Sequence, residues 1–124
     1  MTLSDEFQQN IAEVELMQIL DFIQEQILHT ILLPSDFNQT VQQQIELPTL
    51  IGQRFRYSIE ISNSTDNQII LHGFTTDESI NQTNLVFVGV KYILKISESS
   101  FQSTNAIFTL HIQRNGNNIA ITIS

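Results

Sequence analysis

The stretch Phe108-Thr109-Leu110-His111-Ile112-Gln113-Arg114-Asn115-Gly116-Asn117-Asn118-Ile119-Ala120-Ile121-Thr122-Ile123 alternates apolar and polar residues on both sides of Asn115-Gly116. Alternation of period two is the pattern of a half-buried strand. Asn-Gly between two such runs is the strongest short-range signal for a two-residue hairpin turn. With the turn on Asn115-Gly116, Arg114 faces Asn117, Ile112 faces Ile119, Leu110 faces Ile121 and Phe108 faces Ile123. His111 then meets Ala120 and Thr109 meets Thr122 on the other face. A slip of one residue would turn every apolar side chain to the wrong side. The C-terminal part of the chain is therefore antiparallel sheet.

Upstream, the same period recurs. Phe55, Tyr57, Ile59 and Ile61 alternate with Arg54, Arg56, Ser58 and Glu60. Ser62 to Asn67 is turn material. Gln68 to Thr75 reads as a second strand, Thr76 to Thr83 as a loop, and Asn84 to Ile96 as a third, longer strand. On that strand Val86, Val88, Val90, Tyr92, Leu94 and Ile96 share one face, while Leu85, Phe87, Lys91, Ile93 and Lys95 share the other. Glu98 to Ser103 reads as a loop.

The N-terminal part has a different period. Ser4 is a good helix N-cap, and Asp5 and Glu6 follow in the first turn, where the helix dipole favours them. Neither Gly nor Pro intervenes before Pro34, so the sequence predicts a helix over 5–32 closed by Pro34. Two apolar stripes run along it. Phe7, Ile11 and Val14 form one, and Leu16, Leu20, Ile23 and Ile27 form the other on nearly the opposite side. A helix on a protein surface shows a single stripe. The pattern requires either a bend near Glu15 or burial on both sides. The second layer would be a partner, another copy, or the following segment folded back. That segment, 34–49, carries two prolines and Gln39, Gln42, Gln43 and Gln44, and reads as a connection.

These elements give one domain over 1–124 of class α+β: helix 5–32, connection 34–49, and a five-stranded antiparallel meander sheet over 50–124. A small β-barrel or sandwich carrying an N-terminal helix is the alternative. The length, 124 residues, suits a single core without staples, and there is no cysteine for a disulfide framework or a thiolate metal site. The opening residues are acidic and carry no secretory signal pattern. Polar residues interrupt the apolar run Leu16 to Leu33, so it does not insert in a membrane. An intracellular, cytoplasmic location is the expectation.

Charge is unevenly distributed. Eight acidic residues (Asp5, Glu6, Glu13, Glu15, Asp21, Glu25, Asp36, Glu46) precede Arg54 with no Lys or Arg among them. From Arg54 onward five acidic and five basic residues cancel, so the net charge of −8 resides in the N-terminal part. Such a surface repels phosphate backbones and anionic lipid, which excludes general nucleic-acid binding.

No catalytic, metal or cofactor signature stands out. His29, His72 and His111 lack ligand spacing. The glycines Gly52, Gly73, Gly89 and Gly116 are isolated, so no phosphate-cradling loop forms. No Gly-x-Ser-x-Gly elbow occurs. The triplets at Asn38, Asn63 and Asn81 match the glycosylation pattern, at the frequency a chain rich in Asn, Ser and Thr produces by chance. Alternation puts Arg54, Arg56, Lys91 and Lys95 on one polar face, which reads as an ordinary outer face with local pairs such as Arg56 or Lys95 with Glu60, or else as a docking patch for an acidic segment. The sequence thus predicts no cofactor and a non-enzymatic interaction or assembly module, self-associating or binding another protein. Its candidate contacts are Leu16, Leu20, Ile23, Ile27, Arg54, Arg56, Lys91 and Lys95. A chaperone-like, adaptor, immunity or virion component fits this class. The alternatives are a binder of a small apolar ligand between helix and sheet, lined by Phe55, Tyr57, Phe87, Tyr92 and Phe108, and an enzyme using His72 or His111.

Overall fold

The computed structural model describes residues 4–32, 38–64, 67–89 and 92–124. Helix α1 spans Asp5–Leu32 without interruption. Ser4 caps it as the sequence indicates: the Phe7 N–H donates to Ser4 Oγ (3.2 Å) and the Gln8 N–H to the Ser4 carbonyl (3.0 Å). Pro34, the expected stop, lies outside the described residues.

Eight strands follow, not five: β1 (Gln39–Glu46), β2 (Tyr57–Asn63), β3 (Gln68–Thr75), β4 (Asn81–Phe87), β5 (Ile93–Ile96), β6 (Ser99–Gln102), β7 (Ile107–Asn115) and β8 (Asn118–Ile123). They form two sheets of four, in the orders β1-β7-β8-β5 and β4-β3-β2-β6. All pairs are antiparallel except β5 with β8. The α+β class holds, whereas the single meander does not.

Three segments depart from the sequence reading, each for a physical reason. The Gln-rich connection is largely β1, paired with β7 along its length. Its inward positions are Gln39, Val41, Gln43 and Ile45, so polar side chains interrupt the alternation that would have betrayed a strand. The long third strand is two strands in different sheets. The chain leaves β4 at Val88, takes φ 102 at Gly89, and starts again at Ile93. The expected loop at 98–103 is β6, so short that its pairing with β2 rather than its pattern defines it.

The terminal hairpin exists with a shifted register. Its turn is Gly116-Asn117, with Asn115 opposite Asn118. Ile112 therefore faces Ile121, Leu110 faces Ile123 and Arg114 faces Ile119. The shift is two residues along β8, which leaves every apolar side chain on its expected face. Alternation determines a register only to within two residues. The choice falls to Gly116, whose φ of 62 suits the first central position of a hairpin turn.

The two sheets meet where β5 runs into β6. At that corner the Ser97 N–H donates to the Ile121 carbonyl and the Ile123 N–H to Ser99 Oγ (3.0 Å). The opposite side, between β1 and β4, is where α1 lies. Gln43 of β1 donates to Gln26 (2.9 Å) on one flank of the helix. On the other flank Asn84 of β4 donates to Asp21 (2.8 Å) and Gln24 (3.0 Å). Between these polar contacts, Ala12, Leu16, Ile19, Leu20, Ile23, Ile27 and Ile31 are buried. They pack in one core with Tyr57, Ile59, Ile61, Leu71, Phe101, Phe108, Leu110 and Ile121.

Two glycines let the helix come this close. A Cβ on Gly73 of β3 would sit 2.9 Å from Leu16 Cδ1, and one on Gly52 would sit 2.5 Å from the Gln8 carbonyl oxygen. Gly52 also has φ 58, in the tight turn where Ile51 and Phe55 exchange backbone hydrogen bonds.

Ile23 is fully buried and Val14, on the same helix, is 48% exposed. Ile23→Ala is expected to lower stability by about 2–5 kcal/mol through lost burial and the cavity left behind. Val14→Ala should stay within roughly 0.5 kcal/mol. Urea titrations of the two variants measure the difference, and equal losses would mean that both stripes are covered.

Candidate functional site

The two helix stripes end up in opposite environments. Leu16, Leu20, Ile23 and Ile27, the sequence candidates for contacting a partner, are all fully buried in the chain's own core. The described part of the connection does not fold over the other stripe, since it is spent on β1 in the first sheet. At about 100° per residue, Phe7, Ile11, Val14 and Phe22 point away from that core. Phe7, Val14, Met17 and Phe22 are 52%, 48%, 43% and 43% exposed.

Beside this stripe, Phe22 forms the rim of a groove of about 330 Å³ between α1 and the end of β1. Ile19, Ile45, Leu47 and Pro48 complete its apolar lining, and Glu15, Gln18 and Glu46 line it as well. Its walls are held from beneath. The Glu15 carboxylate accepts the Gly52 N–H (3.3 Å), the buried Tyr57 phenol donates to the Pro48 carbonyl (2.6 Å), and the Leu47 N–H donates to the Ala106 carbonyl (2.8 Å). Burial, and secondarily the Glu15 charge, push the Tyr57 phenol well above its usual value, so it stays a donor.

Among the described residues the basic candidates are divided: Arg54 and Arg56 line one groove with Asp77, and Lys95 lies on a strand of the other sheet. Arg54 stands in the Gly52 turn and pairs with Asp5 of α1 (2.8 Å), its guanidinium over the Phe55 ring. Arg56 precedes β2 in the second sheet, Lys95 lies on β5 at the edge of the first, and Lys91 falls outside the described residues. A common face required a single sheet, and the chain crosses between two. Arg114, which the sequence did not single out, reaches the other end of the helix and donates to the Ile31 carbonyl (2.9 Å), with Tyr92 beneath it. An aspartate at the N-terminus and an arginine at the C-terminus both suit the helix dipole.

The histidines stay apart. His72 is on β3 of the second sheet, His111 on β7 of the first and His29 on the helix. Thr83, His72, Glu60 and Ser100 align in one row across the four strands of the second sheet, on an open shelf of about 490 Å³. His72 Nε2 donates to Asn81 Oδ1 (2.8 Å), and Nδ1 is 4.0 Å from Glu60. Asn81 and Glu60 thus engage the two ring nitrogens of His72. Among the described residues no group of three His, Cys, Asp or Glu side chains is placed to hold a metal. The aromatic residues expected to line an internal pocket do not share one: Phe87 is exposed, whereas Tyr57 and Phe108 pack on Phe101 inside the core. No helix of the described residues is long and apolar enough to cross a membrane. No protein family, curated protein or solved structure matches the chain.

The loop after β3 shows how local hydrogen bonding fixes a charge. Asp77 Oδ1 accepts from Ser79 Oγ (2.7 Å), Thr75 Oγ1 (2.7 Å) and the Ser79 N–H (3.1 Å). The Ser79 hydroxyl, then the Thr75 hydroxyl, hold its carboxyl below the usual range. A depressed folded value stabilises the fold above the ordinary carboxylate range, and that contribution is lost as pH falls through the folded value. In carbon-detected NMR titration Asp77 should titrate below the ordinary aspartate value, and Ser79→Ala should move it upward. An unchanged titration in Ser79→Ala would remove the assigned cause.

Proposed function

We propose that the chain is a non-enzymatic interaction module that docks a protein partner on the outward face of α1. The observation that carries this reading is the second apolar stripe. Phe7, Val14, Met17 and Phe22 stand exposed on a helix whose other side already supplies the core. Exposed apolar side chains on the outward side of a helix, beside a groove, are a feature of helix-borne recognition surfaces. The separation of the histidines across two sheets supports a binding role over an enzymatic one. The dense core between helix and sheets supports it over an internal ligand site. Adaptor, chaperone-like, immunity and virion components all belong to this class of module.

A photo-crosslinking residue in place of Val14 or Phe7, in the cells that make the protein, should give a discrete adduct. The same residue in place of Thr122, on the polar outer face of the first sheet, should give none. Adducts at Thr122 with none on the helix would move the interaction surface elsewhere.

A further inference from the structure

We infer that the partner presents a basic amphipathic segment, with an apolar side chain seated in the groove between α1 and the end of β1. This rests on the docking role proposed for α1 and specifies its occupant. The groove is lined by the apolar Ile19, Phe22, Ile45, Leu47 and Pro48 together with Gln18 and two carboxylates, Glu15 and Glu46. Apart from Asp5, which pairs with Arg54, no acidic residue of α1 makes an ion pair among the described residues. Among the described residues, then, no cation pairs with Glu6, Glu13, Glu15, Asp21 or Glu25.

A second copy is a poor occupant. Two such helices face to face would bring uncompensated carboxylates together, and like charges across an interface oppose association. The chain has few cations to offer in return. Arg54 and Arg114 are committed to the ends of its own helix, and Arg56 and Lys95 stand on different sheets. A segment with lysine or arginine flanking a leucine, methionine or phenylalanine satisfies both features of the groove at once. The charges favour encounter, and the apolar anchor holds the complex after it.

The test uses the full chain and three fluorescent peptides of equal length. One is a Leu/Lys amphipathic helix, one a scramble of that composition, and one a Leu/Glu amphipathic helix. Binding is followed by anisotropy at low and high salt, and amide shift mapping locates each complex. The Leu/Lys helix is expected to bind at least tenfold more tightly than its scramble and to weaken with salt. Phe22→Ser should cost about tenfold, and Glu15→Gln with Glu46→Gln severalfold. Glutamine at position 15 keeps the acceptor for the Gly52 N–H, and thermal melting confirms that each variant is folded. Equal binding of the scramble, or undiminished binding by the double glutamine variant, overturns the inference. Preferential binding of the Leu/Glu helix on α1 would overturn the basic partner while leaving the docking face in place. Shifts confined to other surfaces would overturn both. A dimer seen by light scattering that Val14→Lys dissolves would replace the basic partner with a second copy.

Discussion

Everything in this structure depends on how the open side of a bent sheet is closed. Eight strands run from β1 round the β5–β6 corner to β4, and the inner face is mainly apolar, with Gln39 and Gln43 among its polar members. Left open, that face would expose the core to water along its whole length. Helix α1 fills the opening with a stripe from Ala12 to Ile31, and polar contacts on either flank tie it to β1 and β4. Burial of the stripe provides the energy. The flanking glutamine and asparagine bonds fix where the helix lies, and the two arginines hold its ends.

The same arrangement explains why the helix has a second apolar side. A helix seated in an opening has one face inside and one outside, and the fold uses only the inner one. The outer stripe lies on that face, and the groove with Glu15 and Glu46 adjoins it on the β1 side. Phe22 lines the groove together with Glu15 and Glu46, so apolar and acidic groups meet there.

How much of this was legible in the sequence varied with the range of the interaction. The helix, its Ser4 cap and its two stripes are local patterns, and they were legible almost to the residue. So were the faces of β7 and β8, because alternation is local too. The register of that hairpin was not, since a shift of two residues preserves every face. The eight strands were hidden where long-range pairing overrides composition: β1 by Gln39 and Gln43 at inward positions, β4 and β5 by an apolar run that continues through a crossing. For the site, two stripes were visible, but which one faced outward was not. That choice depends on Gly73 and Gly52 admitting the Leu16 and Ala12 side, and neither glycine is near the helix in sequence. The scattered lysines and arginines seemed to share a face only because one sheet had been assumed.

The absence of cysteine makes the central claim directly measurable. Single cysteines placed at position 14 and at position 23 report, by their rates of alkylation, which side of α1 meets solvent. A thiol at position 14 is predicted to react within a few fold of an unfolded peptide. At position 23 it is predicted to react only through opening of the fold, slower by orders of magnitude. Comparable protection at both positions would contradict an uncovered outer stripe, and comparable reactivity at both would contradict the seating of the helix itself.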